Sequence, residues 1–191
     1  LYQITKDAER KEKFGIKPAL DNLEILKELN DISTFNKLAK ELALKGISCP
    51  LRVRVDTDMK NTKQHRVYIQ GPGVILPDAS YYKPEMAQQK EMIMGIWVNV
   101  ARMILAKSNL TSEEQNKYLE DTLAFDSILG NLVKTSEEWS EYVNMYNPMS
   151  VEEVSSLLST IDFKAILNDL FGFVPEVIIV SEPRYLESFT K

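Results

Sequence analysis

Histidine and cysteine, two side chains that often carry catalysis, each occur only once in this 191-residue chain. His65 is the only histidine, and a two-histidine zinc site, a Ser-His-Asp triad or a Cys-His pair would each depend on it. It lies in a polar stretch just before a predicted strand, which favours a surface histidine over a catalytic one. We therefore assign no catalytic residue and no metal ligand from the sequence, and the substrate-binding residues stay unknown.

Two short stretches imitate known binding motifs without completing them. Asp56-Thr57-Asp58 begins like a calcium loop, but Lys60 takes a ligand position, no glycine stands at the sixth place, and Val67 replaces the bidentate glutamate. We interpret these aspartates as the capping carboxylates of a turn. The second stretch, Gly71-Pro72-Gly73, resembles the start of a dinucleotide fingerprint. It lacks the third glycine, and its proline has no amide to offer a phosphate, so we reject a nucleotide site.

Cys49 is the only cysteine, so the chain cannot form an internal disulfide. This favours a reducing compartment or a bacterial protein that needs no bridges. Beside Pro50, Cys49 is interpreted as a small, partly buried apolar residue, with a reactive thiol as the alternative.

Three further groups of residues have ordinary structural interpretations. A basic set is interpreted as the solvated face of a hairpin, with a partner surface as the alternative; it comprises Arg52, Arg54, Lys60, Lys63 and Arg66. Six glutamates fall at predicted helix starts, where they offset the helix macrodipole; they are Glu113, Glu114, Glu137, Glu138, Glu152 and Glu153. Four methionines are predicted to fill the core rather than to form a binding face; they are Met86, Met92, Met94 and Met103.

The elements that would position these groups are mainly helical. Alternation and β-branched residues predict an antiparallel hairpin of strands at about 51–56 and 66–70, joined by a long polar connection, and a further short strand near 177–180. Two helices are predicted before the hairpin and several after it, the longest over 84–107 and the next over 111–134. Tyr118, Phe125, Leu129 and Leu132 are expected to face inward, and the stretch from Tyr146 to Met149 is expected to be a turn. We therefore predict a mainly α, multi-helix domain with a small β component.

Composition excludes several functional classes. Hydrophobic residues make up 44% and charged residues 27% of the chain, as in ordinary globular domains. The net charge of −5 argues against nucleic-acid binding, because phosphate neutralisation needs a basic surface. The most apolar run, at 92–106, is too short for the roughly 20 residues that span a bilayer. We expect no nucleic-acid partner and no membrane span.

The order of the motifs is more specific than any one of them. The stretch Tyr68-Ile-Gln-Gly-Pro-Gly-Val-Ile-Leu-Pro-Asp-Ala-Ser-Tyr-Tyr82 leads into the long helix. Gly15-Ile-Lys-Pro-Ala-Leu20 precedes it, Tyr146-Asn-Pro-Met-Ser150 follows it, and Pro183-Arg-Tyr-Leu186 comes last. This series resembles the amino-terminal helical domain of the neprilysin/endopeptidase O family of zinc metallopeptidases, although a Gly-Leu-Gly-Leu-Pro type of loop is usual there.

The resemblance implies a role without catalysis. It implies that residues 1–191 form a single helical domain, a fragment of a larger two-domain enzyme. That domain would cap a catalytic half, whose zinc is held by a His-Glu-x-x-His helix and a later glutamate, and would restrict the chamber to oligopeptides. This chain would then have no zinc of its own and be inactive alone. Its single cysteine favours a cytoplasmic bacterial member, with a secreted or surface location as the alternative.

An independent helical protein-interaction module is the competing hypothesis, with the basic hairpin or the methionine-rich helix as the docking surface. A small self-contained enzyme is disfavoured, because no plausible active site is visible. If the chain is a fragment, an exposed apolar patch is expected where the missing part would pack.

Overall fold

The computed structural model describes residues 5–47 and 50–190. Cys49 lies outside these ranges, so its interpretation stays a prediction. The helices, numbered in chain order, are α1 (Ala8–Phe14), α2 (Lys17–Lys27), α3 (Ile32–Leu44), α4 (Ala87–Leu105), α5 (Ser112–Leu129), α6 (Ser136–Ser140), α7 (Val151–Leu157), α8 (Phe163–Phe171) and α9 (Pro183–Glu187). The strands are β1 (Arg52–Asp58), β2 (Asn61–Gln70), β3 (Asn147–Ser150) and β4 (Val177–Val180). The mainly α prediction is confirmed.

Local sequence signals explain where many of the helices begin and end. The side chains of Thr111, Thr135 and Ser150 each accept a hydrogen bond from a backbone N–H at the start of a helix. The carboxylate of the glutamate three residues later accepts one from the backbone N–H of the capping residue. These capping boxes satisfy amides that the first helical turn would leave unpaired. At the other end of α8, Gly172 adopts a φ of 77°, a left-handed conformation that suits glycine.

The strands form one mixed sheet in the order β1-β2-β4-β3. β1 and β2 are antiparallel, β2 and β4 are parallel, and β3 runs antiparallel to β4. The chain segment between β2 and β4 contains the loop Gly71–Tyr82 and helices α4 to α8. Because β4 returns beside β2, the start of that loop and the end of β4 are neighbours in space.

The hydrophobic core lies where helices cover this sheet. Val67, Ile69, Ile178 and Val180 of the two central strands pack with buried residues of α3, α7, α8 and α9. Phe163 of α8 is only 1% exposed. A smaller buried cluster joins the loop to the end of α5 and to α9, and consists of Ala79, Leu129, Val133 and Tyr185.

The sequence-based description of the β component was incomplete. The predicted long connection of the hairpin is wrong, because β1 and β2 extend to Asp58 and Asn61, which pair directly across a two-residue turn. The residues that extend the two strands are mostly polar and exposed, so an alternation of apolar residues could not predict this part of the hairpin. The predicted turn at Tyr146–Met149 is also wrong, because Asn147–Ser150 pairs with β4.

Several predictions about the helices also fail. The helix that begins after Thr111 ends at Leu129 and not near Lys134. Tyr118 and Phe125 are 54% and 58% exposed rather than inward. The methionines do not fill the core, since Met92 and Met103 are 62% and 71% exposed and the other two are only half-buried. Helical periodicity identified apolar faces but could not say which of them has a partner.

Candidate functional site

The loop Gly71–Tyr82, here called the anchored loop, connects β2 to the short helical turns before α4. It ends in a turn of 3-10 helix, Ala79–Tyr82. Three acidic side chains from different parts of the chain hold it in place. They are Glu182, Asp126 and Asp78, and each has a separate set of donors.

Glu182 anchors the start of the loop. It follows β4, is only 3% exposed, and accepts one 2.7 Å hydrogen bond from the Gly71 backbone N–H and another from that of Lys134. Burial raises the pKa of its carboxyl, although these two donors and the nearby lysine and arginine oppose the shift. Glu182 thus joins the loop, the sheet and the segment after α5.

Neighbouring side chains also pack closely against the Cα atom of Gly71. A Cβ on Gly71 would lie 3.0 Å from the Tyr185 ring and 3.1 Å from the Glu182 carboxylate. The Tyr185 hydroxyl donates to the Pro50 carbonyl at 2.7 Å, and burial, followed by the charge of Glu182, raises the pKa of Tyr185 to about 12. A side chain at this position would therefore require Tyr185 or Glu182 to move by a few tenths of an ångström.

Asp126 anchors the middle and the end of the loop from α5. It is 4% exposed, accepts a 2.7 Å bond from the Ile75 backbone N–H, and accepts a hydrogen bond from the Tyr82 hydroxyl through its other oxygen. Burial, and secondly the carboxylate of Asp126, raises the pKa of Tyr82, which is therefore a neutral donor. The Tyr82 ring lies against Gly130, where a Cβ would come within 2.2 Å of the ring.

Asp78 fixes the last turn of the loop to α6. Its carboxylate caps the 3-10 turn through the Ser80 backbone N–H at 2.8 Å. The other oxygen accepts from the Ser136 N–H at 2.6 Å and from the Ser136 hydroxyl. Burial alone would raise the pKa of Asp78, but the hydrogen bonds from Ser136 and Ser80 outweigh it and lower the pKa to about 2.

An open cleft of about 240 Å³ lies beside the anchored loop. Arg52, Lys134 and Trp139 contribute side chains to its wall, together with Asp78 and Glu182. Both carboxylates accept hydrogen bonds from backbone amides. The cleft therefore lies at the junction where these two acids fix the anchored loop.

A third buried carboxylate, outside the anchored loop, closes the hairpin. Asp58 is 2% exposed and accepts hydrogen bonds from the Lys60 N–H at 2.9 Å, the Arg66 Nε at 3.0 Å and the Tyr146 hydroxyl at 2.9 Å. The Lys60 amide, then Arg66, lowers the pKa of Asp58 to about 2. The aspartate that imitated a calcium ligand instead ties the hairpin tip to the segment before β3.

The remaining residues noted in the sequence do not converge on one site. His65 is exposed on β2, opposite Thr57, and not in a polar loop. Of the basic set, Arg52, Arg54, Lys60 and Lys63 are exposed, whereas Arg66 is half-buried and bound to Asp58. Sequence reasoning missed Glu182, Asp126 and Tyr82, because nothing local to them signals the long-range contacts that they make.

Zinc does not fit the described residues. Within 5–47 and 50–190, no group of three or more histidine, cysteine, aspartate or glutamate side chains is arranged to hold a metal ion. The buried acids Glu182, Asp126 and Asp58 lie apart from one another in separate hydrogen-bond networks. In the same ranges no helix is both long and apolar enough to cross a membrane.

The fold is shared with bacterial proteins of known structure. The crystal structure of PEPO from Lactobacillus rhamnosis HN001 superposes with a TM-score of 0.83 at 23% identity, over 96% of this chain and 29% of that one. The zinc metalloprotease ZMP1 of Mycobacterium tuberculosis in its open state gives 0.79 at 24% identity, over 96% of this chain and 28% of that one. At these identities the likeness shows a common fold.

Sequence comparison then identifies the family. Residues 1–191 match the model of peptidase family M13, so the chain belongs to that family and corresponds to its amino-terminal region. Neutral endopeptidases from Lactobacillus helveticus and from Lactococcus lactis subsp. cremoris are 31% and 30% identical to it, each over 98% of this chain. The chain spans 28% and 30% of these two relatives. The resemblance to the neprilysin/endopeptidase O family is confirmed.

Proposed function

We propose that residues 1–191 are a non-catalytic, amino-terminal capping domain of a zinc metalloendopeptidase that cleaves oligopeptides. In this role the domain forms one wall of a chamber and restricts access to it. The observation that carries the proposal is the family match over all 191 residues, combined with relatives of which the chain spans less than a third. The relatives are described as neutral endopeptidases, and one from Streptococcus gordonii as a putative zinc metalloproteinase.

The use of the acidic side chains supports a structural role. Glu182, Asp126, Asp78 and Asp58 accept hydrogen bonds from backbone amides in every case, which fixes a loop or a turn. These contacts support the proposal that the domain has a structural role.

The proposed partner is the carboxy-terminal catalytic half of the same polypeptide. That half would supply the zinc, its histidine and glutamate ligands and the general base. The single cysteine favours a reducing compartment, and we place the protein in the bacterial cytoplasm on that ground.

The test is made on the longer polypeptide encoded by the same reading frame. It should contain a His-Glu-x-x-His helix and a later glutamate beyond Lys191, and a frame without them would refute the peptidase assignment. Cleavage should then be measured on peptides of increasing length and on folded proteins. Rates that fall steeply with substrate size support restricted access, whereas equal cleavage of folded proteins and short peptides contradicts the capping role.

A further inference from the structure

Helix α4 carries several large apolar side chains that are exposed. Its 19 residues, all of them described, include none that is buried. By contrast, α8 has nine residues, and Phe163, Ile166 and Leu167 among them are buried. A helix as apolar as α4 that has no buried residue must have an apolar face that no other described element covers.

One exposed stripe accounts for most of this surface. It is here called the α4 stripe and comprises Met92, Ile96, Val100, Met103 and Ile104, which are 51–71% exposed. At 100° per residue these five positions fall within about a third of the helix circumference. The exposed residues Glu91, Gly95 and Arg102 lie on a different face of the helix.

The contacts of α4 leave this stripe uncovered. The helix packs against the short turns Ala79–Tyr82 and Pro84–Met86 and against α5. Lys90 lies 4.7 Å above the Tyr82 ring, and Arg102 donates to Asn116 of α5 at 2.9 Å. These contacts use the faces of α4 that point to the anchored loop and to α5.

From this geometry we infer that the α4 stripe is an internal interface, covered by polypeptide that follows Lys191 in the same protein. The inference rests on the proposed function, because it needs a longer chain, and it names the surface through which the two parts meet. Each of the two relatives is more than three times as long as the part matched here. Because the match is to the amino-terminal region of the family, the rest of such a polypeptide can provide the covering segment. Five large apolar side chains without an intervening charge suit a permanent packed interface better than a transient one.

Cysteine labelling of the full-length polypeptide tests the inference. With Cys49 replaced by serine, single variants Ile96→Cys and Met103→Cys probe the stripe. Gly95→Cys and Glu91→Cys are matched controls, since both positions are exposed and a Cβ at Gly95 meets nothing within 4 Å. Circular dichroism confirms that each variant is folded, and labelling in denaturant gives the unprotected rate.

We expect native labelling at Ile96→Cys and Met103→Cys to be at least tenfold slower than at the two control positions, independent of protein concentration. Equal rates at all four positions, whether fast or slow, overturn the inference. Protection that grows with protein concentration also overturns it, because the cover is then a second copy.

Peptidase activity of the parent polypeptide is assayed separately. An active enzyme with a rapidly labelled stripe refutes only the inference, whereas a protected stripe in an inactive protein refutes only the proposed function.

Discussion

At the scale of single residues, this structure uses its buried acids to organise backbone. Asp78 could be predicted as a turn residue from the Pro77-Asp78 pair, and Glu114, Glu138 and Glu153 could be predicted from their capping boxes. Those signals are local, because donor and acceptor lie within three residues of each other. Glu182 and Gly71 are 111 residues apart, so no short-range pattern connects them. For the same reason, the contact between Tyr82 and Asp126 could not be predicted from the sequence.

Replacing Glu182 tests the most buried of the anchors. In Glu182→Gln the single amide oxygen cannot accept from both Gly71 and Lys134, so one buried N–H loses its partner. We expect the free energy of unfolding to fall by about 1–3 kcal/mol, measured by urea denaturation. The control is Glu187→Gln on the exposed end of α9, which should change it by less than about 0.5 kcal/mol. Equal effects would show that Glu182 does not anchor the loop.

Asp78 should make stability depend on pH in the acid range. Its pKa of about 2 in the folded protein lies below the ordinary value of 3.8, so its contribution is complete above pH 4 and is lost as the pH falls towards 2. We expect Asp78→Asn to be about 1–2 kcal/mol less stable than the parent at pH 7, allowing for partial solvent screening. The gap should persist to pH 4 and close near pH 2 in urea titrations. A gap that is independent of pH would contradict the assigned hydrogen bonds.

At the scale of elements, the anchored loop joins the ends of the central strands β2 and β4 to helices α5 and α6. The sequence predicted a strand at about 66–70 followed by a long helix over 84–107, and that order is correct. The sequence could not predict β3, because Pro148 and the polar residues beside it carry no β periodicity and pair only when β4 is present. It also could not predict which helical faces are covered, since burial depends on where distant elements lie.

Gly130 tests the contact between the loop and α5. Its φ of −55° is helical, so alanine is acceptable to the backbone, but a Cβ would lie 2.2–2.6 Å from atoms of the Tyr82 ring. We expect Gly130→Ala to cost about 1–3 kcal/mol through overpacking and displacement of the Tyr82 ring.

The control for this prediction is Gly95→Ala within α4. A Cβ there meets nothing within 4 Å, so the higher helix propensity of alanine should raise the free energy of unfolding by about 0.5–1 kcal/mol. Thermal or urea denaturation of both variants gives the comparison. A stabilising effect at both positions would show that Tyr82 does not occupy the assigned place.

At the scale of the whole molecule, residues 1–191 match the amino-terminal region of peptidase family M13, and the proposed role is that of a support for a catalytic half. The ordered motifs between Gly15 and Leu186, none of which is diagnostic alone, predicted this family. The internal chemistry agrees with that role, because its buried acids fix loops and turns. The exposed apolar stripe on α4 indicates where further polypeptide is needed.

Zinc stoichiometry tests the central claim most directly. Metal analysis should be made on the longer polypeptide and on residues 1–191 purified alone, with cleavage of an oligopeptide as the parallel activity assay. The account predicts one tightly bound zinc per chain and peptide cleavage for the longer polypeptide, and neither for residues 1–191. One equivalent of tightly bound zinc on residues 1–191, or cleavage by them, would contradict it.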